Sequence, residues 1–548
     1  MTLTNPPERR QVEAGSADFP VEFDDPSDAE LTWDWDDMHA PFALSPMAAE
    51  YVRTLGGGFN DRYRLFGFPQ RWKVAVWNGY AYFALRLDGT EEEKAEVRRR
   101  WVQTCRDQIE TMDGWWRDEA IPALRRLYER IDAIRVDERS GPDLVEGWRD
   151  AWQATVDAWK IHFIAILGPY QVMEDLAELY AEVLPDAGPG ESMRLIQGFG
   201  DDLFSVELGS ERLAALAASI PAVAAHLRAG GPTARDDLAA LEGGPRLVGA
   251  LDAFLAEHGH LGQTSEDIAG PSWIEAPEIY LAELSQRLSR PAVSAERRRE
   301  RLRAEADARA DAVRARLSDR PADLARFEHL LERAREIGPL TEGHNYWIDR
   351  KAQSHLRRLI TAVGRRLARE DRIERPEDVF YLEHPDIEVG LTSDRDLRPL
   401  VEARREVHEQ QLGIRPPAVV GLPRTDPPEP DMFDGVRIES AVANELRGTG
   451  ASAGIARGPA RLVLSPQDFA HVRQGDIIVC PASNPSWVPL FASAAGLVTN
   501  TGGVLSHAAV VAREFGLPAV VGTGNATDRI PEGSSVEIDG TLGVVRIL

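Results

Sequence analysis

One histidine in this sequence stands where an imidazole can act as a nucleophile. Residues 497–522 read LVTNTGGVLSHAAVVAREFGLPAVVG, in which Leu497 and Val498 lead into Thr499, Asn500, Thr501, Gly502 and Gly503, and a helical pattern begins near Ser506. That strand–turn–helix order puts His507 in the first helical turn, where unpaired N–H groups and the helix dipole favour an anionic adduct. Gly502 and Gly503 permit the positive φ and close backbone approach that a phosphate needs. The small pair Ala508 and Ala509 leaves that approach uncluttered. A substantial fraction of a free imidazole is unprotonated near neutral pH, so the predicted chemistry is phosphoryl transfer through His507. The bland alternative is a helix N-terminal histidine beside a tight turn. Ser506 either hydrogen-bonds the phosphoryl group or caps the helix. Arg513 either reaches a phosphate or caps a solvated face.

Two further stretches are dense in polar groups. Residues 257–278, EHGHLGQTSEDIAGPSWIEAPE, are irregular and Gly-rich, carry His258, His260, Glu266, Asp267 and Trp273, and interrupt two good helices; loops of this kind often carry function. Residues 342–353, EGHNYWIDRKAQ, place His344, Tyr346, Trp347 and Arg350 near the start of a helix. Arg350 and Lys351 either screen phosphate charge or line an exposed face. His162, in KIHF, reads as a core histidine.

The elements that must hold these residues fall into two composition regimes. The chain has 548 residues and a formal charge of −26, yet residues 441–548 hold seven Arg, no Lys and eight Asp or Glu. The acidity therefore sits on the first 440 residues, which marks a domain boundary and argues against a nucleic-acid surface. Residues 1–30, polar and acidic, predict a poorly ordered lead-in. Residues 31–87 predict irregular structure with short helices or strands. Thr90 and Glu93 fit a capping box, and helical periodicity follows at about 90–116, 117–135, 145–184, 210–228, 234–258, 277–318, 320–336 and 343–371. Ten of the thirteen Trp lie between Trp33 and Trp159, which predicts a core of large side chains rather than an aromatic-lined pocket. Residues 415–435 hold six prolines and read as a semi-rigid tether, ~20 residues reaching roughly 60 Å when extended. Six short strands then alternate with glycines, around a helix near 507–515. The fold class expected is multidomain α+β: a large, mainly α-helical domain over 31–414, the tether, and a small α/β domain over 436–548; the resemblance given next implies an acceptor-binding role for the first and a swivelling phosphohistidine role for the second. Cys105 and Cys480 show no metal-ligand or disulfide spacing, no metal ligands are read, and neither a membrane span nor a secretory leader is seen, so a cytoplasmic location is expected.

The motif resembles the mobile phosphohistidine domain of PEP-utilising enzymes. Gly502, Gly503, Ser506, His507, Ala508, Ala512, Arg513, Glu514, Gly516 and Pro518 match its pattern, and Asn484, Pro485, Trp487, Pro489, Leu490 and Phe491 resemble an upstream segment. Asn500 and Thr501 stand where many relatives have an acidic residue. The 257–278 loop, at Gly259, Gly262, Glu266, Pro271, Trp273 and Pro277, resembles the substrate-domain segment of rifampin phosphotransferase. The resemblance implies phosphate-side roles for Gly502, Gly503, Ser506 and Arg513. It implies proton removal by Glu266 or His260, and acceptor binding by His258, Asp267, Trp273, His344 and Arg350. It also implies Mg-ATP bound mainly by a separate ATP-grasp subunit, as in the two-component phenylphosphate and cresyl phosphate synthases. The acceptor expected is then a small-molecule hydroxyl, favoured as a phenol. The alternatives are a kinase for an antibiotic or other alcohol, and a non-catalytic phosphohistidine carrier.

Overall fold

The computed structural model describes residues 10–188, 190–231, 233–262, 267–288, 294–423, 442, 444–464, 468, 471–483, 487–491 and 493–548. It is mixed α+β and about 58% helical, and no helix of it is long and apolar enough to cross a membrane.

The first surprise is at the start of the chain. Residues 10–30 are packed: β1 (Arg10–Gln11) pairs in parallel with β5 (Ile414–Arg415), Phe19 is fully buried, and the Trp33 indole donates to the Asp28 carbonyl. Over 10–30 this corrects the expected lead-in, whose few apolar residues find partners far along the chain; residues 1–9 lie outside the described residues. A four-stranded sheet in the order β3-β4-β2-β6 lies beside them. It is built from β2 (Thr32–Trp35), the hairpin β3 (Arg71–Trp77) and β4 (Tyr80–Arg86), and β6 (Val419–Gly421). Thus Arg415 and Val419–Gly421, expected in the tether, are strand residues of the first unit. The rest of that tether, from residue 424 on, lies outside the described residues.

Helices fill the space between. Pro46–Leu65 starts on the Ser45 cap, and Glu91–Ile109 opens with the Thr90–Glu93 capping box read in the sequence. The periodicity over 145–184 resolves into two helices, Gly141–Ala165 and Leu167–Val183. That over 277–318 resolves into Pro277–Leu288 and Ala295–Arg316. The segment 343–371 is no plain α-helix: Leu340–His344 passes into a π turn, Asn345–Arg350, before Lys351–Arg369. Trp148, Trp152 and Trp159 are buried against Tyr51 and its neighbours, and Trp33 and Trp77 pack edge to face, so these tryptophans are core.

The C-terminal unit is an eight-stranded sheet, β7-β14-β13-β9-β10-β11-β12-β8. Its strands are β7 (Glu445–Arg447), β8 (Thr449–Ser452), β9 (Ile455–Leu462), β10 (Ile477–Cys480), β11 (Gly496–Thr499), β12 (Ala519–Val521), β13 (Ser535–Asp539) and β14 (Val544–Ile547). The run β9-β10-β11-β12 is parallel, and the helix His507–Phe515 connects β11 to β12. One sheet face packs on Ala508, Ala509, Val511 and Ala512 of that helix. The other buries Val479, Val498, Val520 and Ile538. In parallel sheets the crevice beyond the carboxyl ends of the strands is where ligands gather, and the β11 loop delivers His507 there.

Candidate active site

The loop after β11 is fixed by its own hydrogen bonds. The Asn500 amide nitrogen donates to the Cys480 and Pro481 carbonyls, Thr523 donates back to Thr499 O, and Gly524 N to Asn500 O. The Asn500 side chain is spent on Thr527, donating to its hydroxyl and accepting from its backbone N–H. Gly502 has φ 106°, and a Cβ there would lie 2.7 Å from Ser506 Oγ. Of the glycine pair only Gly502 takes positive φ, so Gly503 serves without that freedom. Ser506 is the N-cap residue but makes no side-chain cap bond; its hydroxyl donates to Gly503 O at 2.8 Å. The first-turn N–H groups of the helix therefore receive no side-chain cap.

His507 Nδ1 is hydrogen-bonded to a carboxylate oxygen of Glu342, a residue of the helical unit. A carboxylate accepts, so Nδ1 carries a proton, and in the neutral ring it is Nε2 that keeps the lone pair. Nε2 is buried and meets no hydrogen-bond partner among the described residues. The two side chains are 9% and 8% exposed, so the pair is closed off by docking of the two units. That docking is specific. Leu505 is inserted into the core formed by Met112, Met173, Leu176, Met193 and Ile337. The Gly198 N–H donates to the Glu514 carboxylate at 2.9 Å, and the Arg298 guanidinium lies 4.4 Å from the Phe515 ring centre while pairing with Glu207. Burial raises the Glu514 carboxyl and lowers Arg298 to about 10.

A cleft opens between the units, walled by Asp202, Glu207, Arg298, Glu342, Arg513 and Phe515 among others. Its lining includes Glu342 and Leu505 but not the His507 ring. Asp202 accepts from the Trp347 indole at 3.2 Å, and burial raises its carboxyl to about 6. Arg513 also touches the cleft, but its guanidinium donates to Ala451 O and Val504 O. It braces the histidine loop, which corrects its expected role as a free phosphate ligand. Burial lowers it to about 10.

The expected acceptor residues divide into separate groups. Asp267 is a brace: its carboxylate accepts from Ser45 N and Oγ, both at 2.9 Å, and from Ala269 N. It is engaged at the start of the Pro46–Leu65 helix, not aimed at a ligand. Trp273 is buried with Phe254 and Tyr280, a core role rather than an acceptor wall. Glu266 lies outside the described residues. His258 and His260 flank Tyr346: His258 Nδ1 is 2.8 Å from the Tyr346 hydroxyl, and the His260 ring stands edge-on to Tyr346 at 4.5 Å. Burial, aided by Lys351, holds His260 well below its ordinary value. Lys351 sits 3.7 Å over the Trp347 ring, and burial lowers it to about 8. Arg350 is buried and donates to Gln353 at 3.1 Å. His344 donates from Nδ1 to Leu340 O at 2.6 Å and packs on His162. His162, read as a core histidine, is buried and bonded to Asp349 at 2.7 Å.

Sequence reading missed Glu342, Asp202 and Asp349. A signal did exist for the first and last. The run TEGHNYWIDR concentrates polar residues that are nonetheless buried, inside a segment flanked by good helix formers.

Residues 472–543 match the family "PEP-utilising enzyme, mobile domain", and residues 163–342 match "Rifampicin phosphotransferase fourth domain". The first span contains His507 and the second ends on Glu342. The chain is 30% identical to chondramide synthase cmdD of Chondromyces crocatus, over 97% of this chain and 14% of that protein. It is 33% identical to a rifampicin phosphotransferase of Streptomyces sviceus, over 57% of this chain and 36% of that one. With the uncharacterized phosphotransferase YvkC of Bacillus subtilis it shares 24% identity over 77% of this chain and 51% of the relative. The chain thus spans about half or less of the length of these curated relatives.

Proposed function

We propose, starting from the premise that this chain belongs to the PEP-utilising enzyme family and resembles rifampicin phosphotransferase, that it is a phosphotransferase that carries phosphate on Nε2 of His507 to a small-molecule hydroxyl. The carrying observation is the pair His507–Glu342: in the docked state a carboxylate from the helical unit holds the Nδ1 proton, which leaves Nε2 as the nitrogen that carries and releases phosphate. The first step forms an N–P bond at Nε2 as a P–O bond of the ATP triphosphate breaks and its electron pair leaves on the departing phosphate oxygen, with Mg-ATP as phosphoryl donor. We assign ATP and its magnesium to a separate ATP-grasp subunit, by the likeness to PEP-utilising enzymes. With the ring 9% exposed in the docked arrangement, loading requires the C-terminal unit to leave the helical one.

In the second step the acceptor oxygen attacks phosphorus, the N–P bond breaks and its electron pair returns to Nε2. The hydroxyl proton passes to a carboxylate bordering the cleft, for which Asp202 is suited because its carboxyl is raised towards neutrality. The docked state excludes water, which protects a labile phosphohistidine from hydrolysis.

The acceptor we favour is a hydroxyl of an antibiotic-class compound, supported by the likeness to rifampicin phosphotransferases. A phenol is the narrower reading. The test combines the chain with an ATP-grasp subunit and labelled ATP, then offers rifamycins, simple phenols and no acceptor. Acid-labile label on wild type and none on His507→Ala is the expected result. Equal labelling of both overturns the proposal, and stable label that no small molecule removes reassigns the chain to a non-catalytic carrier.

A further inference from the structure

Outside the histidine pair, the described residues contain one group of side chains arranged as metal ligands: His162, His344 and Asp349, all buried, each with a ligand atom within 4.8 Å of the others. The way the chain brings them together is unusual. His344 and Asp349 are five residues apart, and on an α-helix that spacing turns them roughly 140° away from each other. The π turn Asn345–Arg350 closes i to i+5 instead, which stacks the two on one face. That face meets the helix Gly141–Ala165 at His162. The His162 and His344 rings stand edge to face with centres 4.5 Å apart, and His162 Nδ1 lies 2.7 Å from Asp349 Oδ1.

The tautomers suit a cation. The Leu340 carbonyl can only accept, so His344 Nδ1 bears the proton and its Nε2 presents a lone pair, the outer hydrogen bond that metal-bound histidines commonly have. Two imidazoles and one carboxylate are a donor set for zinc-class divalent ions, with a further coordination position left for water.

We propose that His162, His344 and Asp349 bind a divalent transition cation of the zinc class, which replaces the proton shared between His162 and Asp349. The ion would lock the π turn, and with it the segment that carries Glu342 two residues upstream, onto the Gly141–Ala165 helix. The site is distinct from the magnesium that accompanies ATP, and its test does not depend on transfer activity.

The full chain, stripped with chelator, is titrated with Co2+ alone and followed by visible absorption and calorimetry. The expected result is one equivalent with the strong band of low-coordinate Co2+, displaced by Zn2+. Affinity should fall at least tenfold in both His162→Ala and His344→Ala. X-ray absorption of the wild-type zinc form should show two imidazoles with oxygen ligands, a readout that holds even if a variant fails to fold. No band on wild type, binding undiminished in folded His344→Ala, or sulfur ligation would each overturn the proposal.

Discussion

His507 and Glu342 are 165 residues apart in sequence and share a hydrogen bond across the junction of two units. The histidine comes from the loop after β11, the carboxylate from the short helix Leu340–His344. The bond therefore exists only when the units are docked, and it fixes the ring at the same time.

Glu342→Gln removes the anion that holds the Nδ1 proton while keeping the shape. Transfer from phosphohistidine to acceptor should slow by about 10²-fold, the lower range for loss of a positioned acid–base partner. Nitrogen-15 NMR of the ring should show the Nδ1–H tautomer giving way to a mixture. An unchanged rate and tautomer would remove Glu342 from the mechanism.

Gly502→Ala places a methyl 2.7 Å from Ser506 Oγ on a backbone with φ 106°. The substitution should cost about 1–3 kcal/mol of stability in the C-terminal unit and should reduce labelling of His507. Thermal melting with a labelling assay checks both, and Gly503→Ala, which needs no positive φ, should cost less.

Asp202 supplies a pH signature. Its folded carboxyl is raised from 3.8 to about 6 by burial, so the folded state holds the proton more tightly than the unfolded one. The stability that this provides is present below pH 4 and is lost as pH rises through 6. Asp202→Asn should abolish that slope and leave the protein more stable than wild type above pH 6, by on the order of 3 kcal/mol. Denaturant unfolding at pH 4 to 8, as a difference between the two proteins, measures it. If Asp202 takes the acceptor proton, the same variant loses transfer activity while gaining stability.

Leu505 is 3% exposed and sits among residues of the helical unit. Leu505→Ala should weaken docking by about 2–5 kcal/mol, the cost of emptying a packed leucine site. The loss should appear as faster hydrogen exchange in the helices Leu167–Val183 and Pro321–Ile337, with β10 and β11 unaffected. Uniform acceleration through the sheet would instead show that the residue stabilises its own unit.

The parts legible in the sequence were those that local pattern determines. The apolar runs of β9 to β14, the helix His507–Phe515 and the Thr90–Glu93 cap each follow from residues within a few positions of one another. The failures share a cause. Asp267 looks like a free acid until Ser45, 222 residues away, is seen to donate to it. Val419–Gly421 lies in a Pro-rich stretch and becomes a strand only because Thr32–Asp34 offers it an edge. The π turn is invisible to a reading that assumes 3.6 residues per turn, and it decides where His344 and Asp349 point. Glu342 was missed because its partner too is far along the chain, on the C-terminal unit.

The pairing of Arg10–Gln11 with Ile414–Arg415 closes the helical unit like a drawstring. Entry and exit of the polypeptide are sewn together, and the last stitch, Val419–Gly421, lies against Thr32–Asp34. Under the proposed carrier motion, any tug from the C-terminal unit would fall on this hem, while the Glu342 segment lies well inside the fabric. The scaffold would then hold the receiving end of the proposed reaction steady throughout each delivery.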